Sequence, residues 1–175
     1  MGVMMMLDAI GKRCSVRSYT DKPVADGDLQ QILQAALSAP SANNVRPWHI
    51  VVVTDAGRRE RLSQVSQWAR FCAQSPVVLA FCGDTDRQPY WWIEDCSAAV
   101  ENALVQAAAL GLGACWVGIR DGEGGPGPER QRLVREVLGI PEHVSVLALV
   151  SLGHPAGETH PKPAGPMDAV HHESW

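Results

Sequence analysis

The segment 92–110 constrains this chain more than any other. It is a helix-length run rich in small residues, with Ala98, Ala99, Ala103, Ala107, Ala108 and Ala109 among them, and it is apolar on most of its faces. A helix that is apolar nearly all round must be covered nearly all round. It therefore sits at the centre of a fold or at a contact between subunits, and the other elements have to be arranged about it. The glycines Gly111 and Gly113 mark where it stops.

The rest of the chain supplies helices and strands in alternation. Helices are expected at 4–11, with Gly11 as a stop, at 26–38, at 58–73, and at 129–138 before Gly139. In the second of these Leu29, Ile32, Leu33, Ala36 and Leu37 form one apolar stripe, and Asp26 or Asp28 can cap its start. Strands are expected at 49–54, 75–82, 114–119 and 145–152, the first two reading as buried on both faces because their apolar runs are unbroken. Between them, 14–19 looks extended, 39–47, 83–89 and 121–128 are loops, and the chain beyond Gly153 is irregular and rich in Pro, Gly and His. Such a tail either stays disordered or wraps over a partner. The pattern defines an α+β chain of a single domain, with only about four strands.

Several function classes drop out. With 46% hydrophobic and 19% charged residues the chain can bury a core, and a formal net charge of -4 gives no basic field to attract nucleic acid or an anionic membrane. The five cysteines form no CxxC pair, so neither a zinc site nor a thioredoxin-like motif is indicated, and we read them as reduced thiols of a cytoplasmic protein. The apolar start is followed, not preceded, by Lys12 and Arg13, which is unlike a signal peptide. No GxGxxG follows the first strand and no Walker loop is present. His171, His172 and Glu173 are close in sequence, but adjacent residues of an extended tail point apart, and we expect no metal site there.

Four segments carry chemical potential. In Arg13-Cys14-Ser15-Val16-Arg17, an extended backbone turns Arg13, Ser15 and Arg17 to one edge, where two planar donor forks and a hydroxyl suit a phosphate monoester. The alternative is a solvated basic turn. The loop 39–47 carries Pro40, Ser41, Asn44, Arg46 and Pro47 just before Trp48. A proline-stiffened polar loop at a strand edge suits the rim of a planar heterocycle, while an ordinary connection with Trp48 in the core is the plainer alternative. Around Gly111-Leu112-Gly113, Trp116, Val117 and Gly118, glycines permit a close backbone approach, by a ligand or by another element. Last, Lys162 stands between Pro161 and Pro163 on an extended arm and can reach an anion.

Together, in this order, these segments resemble the nitroreductase family. Its members carry an N-terminal Arg-x-Ser-x-Arg, a Pro-Ser-x-x-Asn-x-Gln-Pro-Trp loop, a long helix ending in Gly-Leu-Gly-x-x-Trp-x-Gly, and a Gly-x-Pro strand end followed by a Lys-Pro-Arg arm. The resemblance covers nearly the whole chain. It implies an α+β fold with a mixed sheet flanked by helices, an interlocked homodimer with 154–175 as an arm wrapping the partner, and one FMN in each of two interface sites. By motif position, Arg13, Ser15, Arg17 and Lys162 would hold FMN at its phosphate and a nearby ring oxygen. Pro40, Ser41 and Asn44, with Arg46 beside them, would reach the ring from the partner, and Trp116, Val117 and Gly118 would pack near it.

The implied activity is electron transfer from NADPH or NADH to a small aromatic or quinone-like acceptor, such as a nitroaromatic, by a ping-pong route without a dedicated catalytic residue. A flavin-binding storage, sensing or flavin-modifying protein and a non-enzymatic interaction domain are the alternatives. Two departures stand out. Arg46 replaces the usual Gln, placing a positive charge that favours an anionic reduced ring or alters which substrate fits. Ala164 replaces the arm's Arg, which removes one phosphate contact, worth on the order of 1.5–3 kcal/mol. The residues 83–90 and Tyr90, Trp91 and Trp92 are a candidate substrate wall, although a buried aromatic cluster is the expectation for those three.

Overall fold

The computed structural model describes residues 6–120, 127–163 and 165–175. Met4, the loop residues 121–126 and Ala164 lie outside them. Five helices, α1 (Met6–Lys12), α2 (Asp26–Leu37), α3 (Ala56–Ser63), α4 (Trp92–Ala109) and α5 (Gly127–Leu138), alternate with four strands, β1 (Trp48–Val53), β2 (Val77–Asp84), β3 (Gly113–Gly118) and β4 (Val144–Gly153). The sheet order is β1-β2-β4-β3. The α+β class expected from the sequence holds. The three strand pairings are antiparallel, and the parallel component is the isolated bridge Ser15–Ala114 at the β3 edge.

Period-two alternation divides β2 between two cores. Val77, Leu79 and Phe81 face α2 and α4, packing with Ile32, Ala36, Ala99, Val100 and Ala103. Val78, Ala80 and Cys82 face the opposite side with Leu62, Val65, Cys72 and Val134. The result is three layers, helix on sheet on helix. Central α4 buries Trp92, Asp95, Cys96, Ala99, Val100, Ala103, Leu104 and Ala107 as one continuous face, because small side chains let its backbone lie close to the sheet. A second face, carrying Ala98, Val105 and Ala109, is only half-buried within the chain.

Some expectations fail for identifiable reasons. β1 is an edge strand, with His49 and Val52 exposed, so its unbroken apolar run does not mean burial on both faces. The helix expected over 58–73 ends at Ser63. Ser66 Oγ accepts the Trp68 N–H at 3.2 Å, a local turn that competes with helical pairing, and only a 3-10 turn at Arg70–Cys72 follows. Gly11 lies inside α1 and does not stop it. Neither Asp26 nor Asp28 caps α2, whose N-cap is Ala25 with no side-chain bond; α3 does have one, as Asp55 accepts the Arg58 N–H at 2.8 Å. Trp92 is buried, but Tyr90 and Trp91 are exposed, so the three do not form a buried cluster. Among the described residues no helix is long and apolar enough to cross a membrane.

Burial raises the thiols of Cys72, Cys82 and Cys96 to about 12, and desolvation likewise raises Tyr19. Above the ordinary thiol value of 9.0 the unfolded chain sheds protons that the folded chain keeps. Their contribution to stability is thus fully present below pH 9 and lost as pH rises towards 12. Thermal melts should show Tm falling progressively above pH 9. At pH 8 a thiol reagent should label Cys14, the one half-exposed cysteine, and reach the other four only on unfolding.

Candidate functional site

The segment expected to be extended is held along the outer edge of β3. Val16 N–H donates to the Ala114 carbonyl at 3.0 Å, and further on Tyr19 Oη bonds both the Val16 carbonyl at 2.5 Å and Ser151 Oγ at 2.6 Å. The approach is close enough to demand glycine. A Cβ on Gly113 would lie 2.7 Å from the Cβ of Val16, a branched side chain that cannot swing away.

This strand-like segment displays Arg13, Ser15 and Arg17 into a cavity of about 390 Å³, completed by Cys14, His160 and Lys162. Three cationic side chains, a hydroxyl and an imidazole line it, and no carboxylate does. Arg13 also reaches Glu101 of α4, Nε to Oε1, at 3.6 Å. Both groups are well exposed, so this pair is weakly held and open to exchange for a stronger anion. Lys162 arrives because the chain after β4 turns back over its own protomer, with Tyr19 bridging to Pro155 and Thr20 N–H donating to the His154 carbonyl at 2.9 Å. Ala164, two residues further, lies outside the described residues.

Arg17 also lines a second, larger cavity of about 710 Å³ with Ser66, Trp68, Phe71, Cys115, Trp116, Val117, Gly118, Arg120 and Arg130. Its guanidinium carbon stands 5.9 Å from the Phe71 ring centroid, within cation–π range. A cationic pocket therefore shares one arginine with a cavity walled by an aromatic ring and a β-strand. Three guanidinium groups and Phe71, Trp68 and Trp116 are the larger cavity's main chemical features. Phe71, Trp68, Arg120 and Arg130 escaped the sequence reading. Phe71 and Trp68 lay in what was read as a continuous helix, and the two arginines lie on either side of the loop after β3.

The loop 39–47 lies elsewhere. It enters β1, at the opposite edge of the sheet, and packs near the start of α4, while the cradle lies near that helix's end. The rise between Asp95 and Ala108 alone is roughly 20 Å. Pro40, Ser41, Asn44 and Arg46 thus line neither cavity of their own chain. The loop is nonetheless tightly built. Asn43, Asn44 and Arg46 all have left-handed backbones (φ 51, 56 and 51), a conformation that costs roughly 1–2 kcal/mol per residue outside glycine and persists only where neighbours enforce it. The neighbours are evident. Asp95 Oδ1, 5% exposed, accepts the Ala42 N–H at 2.9 Å. Gln88 Nε2 approaches the Ala42 carbonyl at 3.5 Å, and Arg87 Nη2 donates to the Val45 carbonyl at 2.9 Å. Within the loop, Ser41 Oγ accepts the Arg46 N–H at 3.0 Å, and Arg46 Nε donates to Asn44 Oδ1 at 2.8 Å. Trp48 is buried in the core. The sequence does not single out Asp95, since acids such as Glu94 and Asp95 in the first turn of a helix are unremarkable there.

Comparison with known proteins places the chain in a family. The sequence profile of the Nitroreductase family matches residues 10–71 and 66–154. A protein of Archaeoglobus fulgidus with the provisional name NADH dehydrogenase/NAD(P)H nitroreductase is 38% identical over 97% of this chain and 98% of its own length. An FMN reductase [NAD(P)H] of Bacillus subtilis is 32% identical over 91% of this chain and 69% of its own. Among solved structures, an FMN-dependent nitroreductase of Clostridium difficile superposes with a TM-score of 0.89 at 30% identity, over 97% of this chain and 99% of that one. This chain belongs to the nitroreductase family.

The clamp on Ala42 has a direct test. Asp95→Ala leaves the part-buried Ala42 N–H without its acceptor, which costs about 1 kcal/mol. Urea unfolding should detect that loss, whereas Asp95→Asn, which keeps an acceptor oxygen, should retain most of the stability.

Proposed function

We propose that this protein is an FMN-dependent oxidoreductase that moves electrons from NADH or NADPH to a small organic acceptor, such as a nitroaromatic or a quinone, and does so as a homodimer. The observation that carries the reading is the convergence of Arg13, Ser15, Arg17 and Lys162 on one cavity, with Arg17 also lining the cavity along the β3 wall. The donor set fits a phosphate dianion joined to a planar ring: cations and a hydroxyl at one end, Phe71, Trp116 and strand backbone at the other. The relatives named for FMN and NAD(P)H support the same reading, as does a Vibrio harveyi NADPH:FMN oxidoreductase solved with NAD+, 28% identical with a TM-score of 0.83 over 97% of this chain and 77% of that one.

FMN, when bound, supplies a ring that takes a hydride equivalent from the nicotinamide and passes electrons to the acceptor. The chain's own residues bind and orient it. Arg13 and Lys162 would neutralise its phosphate, Ser15 would donate to it, and Arg17, which lines both cavities, would hold the phosphate and a nearby ring oxygen. Trp116, Val117 and Gly118 form the wall behind the ring, with Gly118 exposed and free of side-chain bulk. No general acid or base is assigned, and both substrates use one open face, which leads to ping-pong kinetics.

The second subunit supplies what one chain leaves out. A two-fold copy packed through the half-buried face of α4 would bring the partner's loop, with Pro40, Ser41, Asn44 and Arg46 of the partner subunit, over the cavity that they cannot reach in their own chain. Among the described residues of the arm beyond Lys162, Val170 is exposed and the terminal Trp175 fully so, and these would lie on that partner. We place the protein in the cytoplasm, where its five unbridged cysteines stay reduced.

The purified protein should show flavin absorption bands that bleach on adding NADPH or NADH. Arg13→Ala should weaken FMN binding by roughly ten- to a hundredfold through a lost charge-assisted bond, yet leave riboflavin binding nearly unchanged. In steady state, double-reciprocal plots at several acceptor concentrations should run parallel; intersecting lines would exclude the ping-pong route.

A further inference from the structure

The larger cavity holds more positive charge than a flavin ring calls for. Arg17 lines it beside the phosphate cradle and close to Cys115, whose thiol burial pushes up and Arg17 offsets only in part. Arg120 and Arg130 line it as well. Arg120 follows the strand end at Gly118, after a bend in which the Ile119 and Arg120 N–H groups both bond the Leu147 carbonyl, so the two arginines border the Gly118 end of the wall. Arg130 Nη1 is 3.5 Å from the Gly118 carbonyl, which holds its guanidinium at the exposed end of β3. Among the described residues neither arginine pairs with a carboxylate, although acids outnumber bases in the chain, 19 to 15. On the same cavity Trp68 is 75% exposed. A large indole left open on a cavity that also holds the exposed Arg120 and the half-buried Arg130 offers a flat face next to an anion fork.

Resting on the functional reading above, we propose that Arg120 and Arg130 form an anion subsite, with Trp68 as its platform, that selects substrates bearing a phosphate or carboxylate on a planar body. The anion could belong to the dinucleotide donor or to the acceptor, because both approach the same open end of the wall. In either case the arginines act on capture of the substrate and not on the transfer itself, so their effect falls on KM.

The test uses the FMN-loaded double variant Arg120→Ala/Arg130→Ala beside the wild type. In the donor arm, NADPH and NADH are compared with the uncharged N-benzyl-dihydronicotinamide. In the acceptor arm, with that uncharged donor, nitrobenzoate is compared with nitrobenzene. The expected result is a KM raised roughly tenfold or more for the charged member of at least one arm, with kcat, the uncharged substrates and FMN content changed less than twofold. A loss confined to the dinucleotides assigns the subsite to the donor, and one confined to nitrobenzoate assigns it to the acceptor. Equal losses for charged and uncharged substrates, or no loss, overturn the proposal. Wild type that turns over no donor would count against the oxidoreductase reading instead. In that event calorimetric titration of both proteins with NADP+ and with nitrobenzoate still decides the subsite, as binding needs no turnover.

Discussion

The close seating of α4 on the sheet is the constraint on which the rest depends. Ala99, Ala103 and Ala107 lie flat against β2 and β4, and a larger side chain at any of them would lift the helix from a core in which Phe81, Leu79 and Val150 are already fully covered. The helix in turn fixes both halves of the functional surface. Asp95, in its first turn, holds the loop at Ala42, while Glu101, Leu104 and Ala108 border the Arg13 segment and the returning arm. One rigid element thereby sets the distance between two sets of polar groups that a single chain cannot bring together.

The two sets are stabilised in different ways. The Arg13–Arg17 segment is held by backbone pairing to β3, by the bare Cα of Gly113 and by the hydroxyl network of Tyr19 and Ser151, so its side chains are free to face a ligand. The loop 39–47 reverses this: its side chains and those of Asp95, Gln88 and Arg87 are used to hold an unfavourable backbone. A loop of three left-handed non-glycine residues is a stiff presentation surface, and stiffness there lowers the ordering cost when a ring is bound against it.

Electrostatically, the chain concentrates its bases. An acidic protein with Arg13, Arg17, His160, Lys162, Arg120 and Arg130 around two cavities that share Arg17 attracts anions to that place specifically, and screening by salt will weaken this attraction. The larger cavity is also lined by the buried Cys115 thiol and the buried Val117 side chain, so that its cationic groups stand beside a low-dielectric wall where their pull is greatest.

Much of this was written in local patterns. The small-residue run marked α4 almost to the residue, the alternation of helices and strands defined the α+β class, and Arg13, Ser15 and Arg17 were legible as one edge because an extended chain has a period of two. Ser41, Asn44, Trp116 and Lys162 were recognisable only as an ordered set. What local pattern could not determine was adjacency. That β1 lies at an edge and β2 in the middle depends on strand order, which hydrophobicity does not encode when both runs are unbroken. The break after Ser63, where Gln64 and Val65 bond back three residues and a Ser66 turn follows, interrupts a periodicity that reads as continuous. Asp95, Phe71, Trp68, Arg120 and Arg130 took their place only through tertiary structure, because a carboxylate becomes an anchor, and an arginine a binding group, only when the folded chain decides which neighbours and how much water surround it.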